Sequence, residues 1–230
     1  MKQVTNYQEI KKSYRHPEVA NVYDSRRFFK SARKERLNKH FLTAIGGVLS
    51  GIEDRGHKID RLLDVPCGTG RIFPELLALK VNFIASDISF EMMKASADKG
   101  NLNEFKMVQI DAEQMPYKDD SFDVVTSLRF FTMRVPKEAR ASIFKEMNRV
   151  SRGWIVAEFR HKNPLSTFSN WIITRIFKHP PRFNYYLIDE LKRELNQAGI
   201  ELVKVFWPFG LFSNKIILLG KTKQLATAPK

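Results

Sequence analysis

A single cysteine, Cys67, occurs in 230 residues, so an intrachain disulfide and a cysteine-based zinc set are both excluded. That usage fits a reducing compartment. The five histidines (16, 40, 57, 161 and 179) are scattered without metal-ligand spacing, and no metal is expected. Long apolar runs are missing too. The longest, such as Ile216–Leu219, are far too short to cross a bilayer, and Met1–Ala20 lacks the apolar stretch of a signal peptide. A cytoplasmic protein is therefore expected. Acidic side chains are absent from His161 through Asn184, within a chain already short of acids: 25 Asp and Glu face 39 Lys and Arg.

The resulting charge of +14 is unevenly spread: residues 1–60 carry +6, 61–150 are balanced and 151–230 carry +8. Basic flanks favour encounter with phosphate groups, nucleic acid or an acidic membrane face, or simply keep the surface soluble. Hydrophobic residues at 43% and charged residues at 28% are globular proportions, and a packed core is expected rather than disorder. From Arg61 onward short apolar runs alternate with helix-like segments. Strands are predicted at Arg61–Cys67, Asn82–Ile88, Phe105–Ala112, Phe122–Phe131, Trp154–Phe159, Leu202–Phe206 and Lys215–Leu219. Helices are predicted at Arg71–Lys80, Phe90–Lys99, Pro136–Val150 and Ile188–Ala198. This alternation implies an α/β three-layer sandwich: a seven-stranded, mostly parallel sheet covered on both faces, with an antiparallel last strand. Residues 1–60 read as a helical N-terminal extension covering the site, 61–222 as the main domain, and 223–230 as a flexible tail.

The chemistry concentrates in Leu62-Leu63-Asp64-Val65-Pro66-Cys67-Gly68-Thr69-Gly70-Arg71, where an apolar strand ends in an acid and a Gly-containing loop opens a helix. Gly68 and Gly70 lack a β-carbon, so backbone N–H groups can approach a ligand closely. A dinucleotide fingerprint needs a third glycine at position 73, which is Phe73; a phosphate-binding P-loop needs Gly-Lys-Ser/Thr, which is missing. Asp87 ends the second strand, where a carboxylate can accept hydrogen bonds from both hydroxyls of an adenosine ribose. Asp111-Ala112-Glu113 ends the third. An Asp at a strand end is often only a turn former. Three acids in register with one glycine loop point instead to a shared ligand edge.

These motifs resemble those of the class I S-adenosylmethionine-dependent methyltransferases, most of all the type 11 branch that includes ubiquinone and menaquinone C-methyltransferases. LLDVPCGTGR resembles the first motif of that family, usually D-x-G-x-G-x-G; SDIS resembles the acidic second motif. DAEQMPYKDDSFDVVTS is similar to the D-A-x-x-L-P-F-x-D-x-S-F-D-x-V-x-S block almost position for position. The resemblance covers about residues 61–160 and implies a Rossmann-like fold with S-adenosylmethionine as cofactor. It implies Asp64, Gly68, Thr69 and Gly70 around the methionine part, Asp87 on the ribose, Asp111 with Ala112 on the adenine, and Ser127 and Leu128 facing the cofactor. Tyr23-Asp24 precedes the first strand as Tyr-Asp often does in this branch, which would close Tyr23 over the cofactor. Pro66 departs from the family glycine. Having no N–H and φ near −65°, it is tolerated only where the loop needs negative φ and donates nothing.

The acceptor is less legible. After the fourth strand come Arg129, Phe130 and Phe131: Arg129 as holder of an anionic acceptor or member of a structural salt bridge, the phenylalanines as pocket walls or core. No general base is identified. An insertion at about 161–184 contains a segment, 164–178, with Leu165, Phe168, Ile172 and Ile176 at helical spacing. It reads as a lid over an apolar acceptor, a helix resting on an anionic membrane, or plain packing. The expected activity is methyl transfer to a small-molecule or lipid-like, possibly anionic acceptor, with a saccharide also open. The alternatives are an RNA methyltransferase using the basic flanks and a non-catalytic cofactor-binding relative. The oligomeric state is not predicted.

Overall fold

Side chains two apart along a strand share a face, and that alternation sorts the core into two layers. The computed structural model describes residues 7–96, 105–164, 175, 183–211 and 213–223. Its centre is β1 (Leu62–Asp64), paired in parallel with β2 (Phe83–Asp87) and β4 (Phe122–Ser127). Outside these, also parallel, lie β3 (Lys106–Gln109) next to β2 and β5 (Ser151–Arg160) next to β4. Two antiparallel strands complete one side, β7 (Lys215–Thr222) against β5 and β6 (Ile200–Phe206) at the edge. The order β3-β2-β1-β4-β5-β7-β6 makes the seven-stranded, mostly parallel sheet expected from the sequence.

Leu62, Val124, Trp154 and Val156 point into one layer, and their neighbours Leu63, Val125, Ile155 and Ala157 into the other. The first layer is closed by α3 (Ala32–Glu53) and α4 (Phe73–Ala78). Helix α3 buries Phe41, Ile45, Val48, Leu49 and Ile52, a stripe at helical spacing. The second layer holds α6 (Lys137–Val150), through Ile143, Phe144, Met147 and Val150, and α7 (Ile188–Gln197), through Leu191 and Leu195. Fully burying each such side chain contributes roughly 1.5–3 kcal/mol before conformational entropy is set against it. Two more helices, α1 (Tyr7–Tyr14) and α2 (Pro17–Arg27), form the start of the N-terminal extension, and α2 packs on α5 (Phe90–Lys94).

Several boundaries differ from the sequence prediction for local reasons. The third strand stops at Gln109, because the Asp111 carboxylate accepts the Glu113 N–H and Asp111 bridges Gln114 in a turn. The fourth stops at Ser127, because Arg129 adopts a left-handed backbone (φ 64°). The first predicted helix begins two residues late, at Phe73, and Lys80 (φ 55°) lies beyond its end. Pro136 caps α6 rather than entering it. The predicted helix end at 97–99, nearly all of the insertion helix at 164–178 and the tail at 224–230 lie outside the described residues. No helix among the described residues is long and apolar enough to cross a membrane.

Candidate functional site

Connections leave β1 and β4 in opposite directions, which opens a crevice at the carboxyl ends of these two strands. The loop after β1 is pinned there from both sides. The Val65 N–H donates to the Thr126 carbonyl (2.9 Å) and the Cys67 N–H to the Ser86 carbonyl (2.7 Å). The chain then turns through Pro66, whose peptide bond is cis, into Gly68 (φ 55°) and Gly70 (φ 67°). The two glycines do different work. Gly68 donates its N–H to Asp87 Oδ2 (2.8 Å), so the loop and the second strand end are tied together. At Gly70 an added β-carbon would sit 2.6 Å from the Phe73 ring and 2.9 Å from Ser96 Cβ, so this glycine lets α4 pack against the loop.

A cavity lies above this loop, at the sheet edge where open α/β folds bind ligands. Of the residues singled out from the sequence, Tyr23, Asp64, Gly68, Thr69, Asp87, Leu128, Arg129 and Phe130 line it. The others do not. Gly70 supports helix packing, as above. Ala112 and Ser127 are buried, and the Ser127 hydroxyl has no hydrogen-bond partner among the described residues. Asp111 is turned to an ion pair with Lys11 Nζ (2.8 Å). Phe131 is a correction to the pocket-wall reading: it is fully buried and stacked on Phe159 with centroids 4.9 Å apart, deep in the second layer.

The acids of the cavity are strongly desolvated. Asp64, 2% exposed, accepts one hydrogen bond from Thr126 Oγ1 (2.6 Å). Burial pushes its carboxyl up to about 7; the Thr126 bond opposes this and nearby Asp87 adds to it. Burial likewise raises Asp87 to about 6, partly offset by the N–H groups of Ser89 and Gly68. Each acid is therefore held in surroundings that favour a cationic or hydrogen-bond-donating ligand.

The N-terminal helices close over one side. Lys11 joins Asp111 and Glu113, the Ser89 hydroxyl donates to the Tyr14 carbonyl (2.6 Å), and Thr69 Oγ1 donates to Asp24 Oδ1 (2.5 Å). Tyr23 packs edge-on between Tyr14 and Phe28. Sequence reasoning missed Lys11, Tyr14 and Phe28, whose places depend on how the extension folds back. It also missed the role of Arg71 and of Glu158. For Glu158 a signal existed: a lone acid inside the apolar run Trp154–Phe159. It is 1% exposed, accepts the Arg129 N–H (3.1 Å) and faces Arg71 Nη1 at 3.6 Å.

Comparison with known proteins follows the same residues. A family model described as a methyltransferase domain matches residues 63–156. The ubiquinone/menaquinone biosynthesis C-methyltransferase UbiE of Pseudomonas paraeruginosa is 33% identical over 134 residues, covering 52% of this chain and 49% of that protein. Its namesake in Pseudomonas putida is 31% identical with the same coverage. The chain thus spans about half the length of the curated relatives it matches. Among solved structures, magnesium protoporphyrin IX methyltransferase (ChlM) from Synechocystis, with bound SAH, superposes with a TM-score of 0.73 at 16% identity, over 94% of this chain and 100% of that one. A S-adenosylmethionine-dependent methyltransferase from Clostridium acetobutylicum gives a TM-score of 0.64 at 12% identity, over 89% and 98%. At these identities the structural likeness speaks to the fold alone.

Proposed function

We propose, from the match of residues 63–156 to a methyltransferase-domain family and the 33% identity to a C-methyltransferase over 134 residues, that this chain is a class I methyltransferase of type 11 that transfers a methyl group from S-adenosylmethionine to a small, largely apolar organic acceptor. The observation that carries the reading is the pair of buried carboxylates, Asp64 and Asp87, on the wall of the cavity at the ends of β1 and β2. A carboxylate offers about four acceptor sites. Asp87 uses one on each oxygen, for Gly68 and Ser89, which leaves one on each for a pair of ribose hydroxyls. Asp64 spends a single site on Thr126 and suits the ammonium of the methionine part. The residues present therefore fit the cofactor.

Bound there, the cofactor supplies a sulfonium methyl already activated for displacement. The task left to the protein is to bring acceptor and methyl within near-attack distance in a dry site. Tyr14, Phe28, Phe130 and Met133 line the remainder of the cavity and provide an apolar wall for the acceptor. Tyr23 and Asp24 are placed to cover the loop, Asp24 by holding Thr69. Asp87→Ala removes both the proposed ribose contacts and the tie to Gly68, so S-adenosylhomocysteine affinity should fall by at least about tenfold for each charge-assisted bond lost. Calorimetry on the full chain measures this, and unchanged affinity in the variant refutes the placement.

A further inference from the structure

A buried guanidinium normally finds a complete set of partners, and Arg140 shows what that looks like in this fold. Its Nε and Nη2 grip both oxygens of Glu194 (2.9 and 2.6 Å), and Nη1 donates to the Val135 carbonyl (2.9 Å). The cations beside the cavity are not matched in this way. Arg71 lies over the rings of Phe28 (4.6 Å) and Phe41 (4.2 Å), and its Nε donates to Asn38 (2.8 Å). Its Nη1 is buried without a hydrogen bond among the described residues, Glu158 at 3.6 Å being too distant. Arg129 sits over the Phe28 ring (5.1 Å) and donates to the Tyr23 hydroxyl, yet its Nε is buried without a hydrogen-bond partner among the described residues. Lys215 extends over Phe209 and Phe41 with no carboxylate at ion-pair distance among the described residues.

Two acids act on these three cations among the described residues: Glu75, through its charge on Arg71, and Glu158, whose contacts to Arg71 and to the Arg129 backbone both fall on Oε2. Burial lowers the Lys215 ammonium to about 8, and the guanidinium groups of Arg71, Arg129 and Arg160 add to the effect against the pull of Glu158. Arg71 is brought down to about 10 by burial. Asp64 and Asp87 belong to a different neighbourhood: each carboxyl is governed by its own burial and nearby hydrogen bonds, and neither guanidinium acts on Asp64 appreciably. The cavity is thus bipolar, with acids under the β1 loop and a surplus of cations toward β5 and β7.

We infer that the cationic end, Arg71 and Arg129 backed by Lys215, binds a carboxylate or phosphate group carried by the methyl acceptor. This rests on the methyl-transfer reading and specifies the acceptor class. The same chemistry would also suit the carboxylate of the cofactor, but the amino-acid end of S-adenosylmethionine brings an ammonium with that carboxylate. With that ammonium on Asp64, the carboxylate can meet only one of the three cations. An acidic acceptor meets the others, and its apolar body would lie along Phe28 and Phe130.

The test uses the full chain saturated with S-adenosylhomocysteine and titrated with benzoate, phenyl phosphate and uncharged benzamide. Either anion should bind at least about tenfold more tightly than benzamide. Lys215→Met should weaken anion binding severalfold while S-adenosylhomocysteine affinity moves less than twofold. Glu158→Gln, which preserves shape and removes a competing acid, should strengthen it, a direction that a purely structural role does not give. Equal binding of benzoate and benzamide overturns the inference. So does a loss of S-adenosylhomocysteine affinity in Lys215→Met that leaves benzoate and 5′-methylthioadenosine affinities unaltered, because the cations would then serve the cofactor. Failure of the unaltered chain to bind S-adenosylhomocysteine overturns the methyl-transfer reading itself, and the acceptor assignment with it.

Discussion

Two carboxyls that hold protons near neutrality make cofactor binding depend on pH in a direction that can be worked out. Without ligand, burial keeps Asp64 protonated up to about 7 and Asp87 up to about 6. An ammonium or a pair of hydroxyls favours the ionised forms, so binding must drive the protons off. The sign follows. The ligand-free protein binds more protons than the complex below these pKa values, so affinity falls as pH falls through them.

Taking the complex to be fully ionised, lowering pH from 7.5 to 6 weakens binding about eightfold through Asp64 and about twofold through Asp87. The free α-amino group, with an ordinary pKa of about 7.7–8.0, is slightly less protonated at pH 7.5 and trims the net change to about tenfold. Calorimetry at both pH values gives the affinities. Repeating the titration at pH 6.5 in buffers of different ionisation enthalpy counts the protons released, expected to approach one. Asp64→Asn should flatten most of the profile at the cost of overall affinity. A constant affinity between pH 6 and 7.5, or a titration that releases no protons, would refute the idea that a cationic group of the ligand meets Asp64.

Two further predictions separate packing from binding. Gly70→Ala puts a β-carbon 2.6 Å from the Phe73 ring in a backbone with φ 67°, so the variant should lose about 2–4 kcal/mol of stability, read as a lowered Tm. Glu194→Gln breaks the bidentate pair that joins α6 to α7 and leaves Arg140 buried without its counter-charge. Denaturant unfolding should show a loss of about 3–5 kcal/mol. Because that pair lies away from the cavity, S-adenosylhomocysteine affinity in the folded Glu194→Gln variant should match that of the unaltered chain; a drop beyond twofold would contradict the separation of the two regions.

Apolar periodicity made the sheet legible. Leu62-Leu63 and Val124-Val125 are doubly apolar because their strands are covered on both faces, and strands of that kind alternating with helical segments leave few arrangements other than a parallel sheet. Strand ends were less legible, since a left-handed Arg129 or an Asp111 side-chain turn ends a strand without changing its hydrophobic pattern. The same limit governs the site. Asp64, Gly68 and Asp87 stand at strand ends of one sheet edge, so their convergence follows from topology. Phe131 and Phe130 are adjacent in sequence, yet one enters the core and the other lines the cavity, and only the turn at Arg129 decides which.

The cationic end depends on still longer-range placement. Arg71 follows β1, Arg129 follows β4, Glu158 lies two residues before the end of β5 and Lys215 begins β7, so nothing in their spacing announces a cluster. The sheet order assembles them: β5 lies between β4 and β7, and Glu158 pairs with Ile217 two residues from Lys215. The N-terminal extension then seals the group, with Phe28 against Arg71 and Arg129 and with Phe41 against Arg71 and Lys215. Ring faces attract these cations and exclude water from them, but they carry no formal charge to neutralise them. The extension therefore gives the cations their burial and leaves their charge unmatched. By this argument, removing the Phe28 ring (Phe28→Ala) would admit water to both guanidinium groups and weaken their preference for an anion, even though Phe28 itself bears no charge.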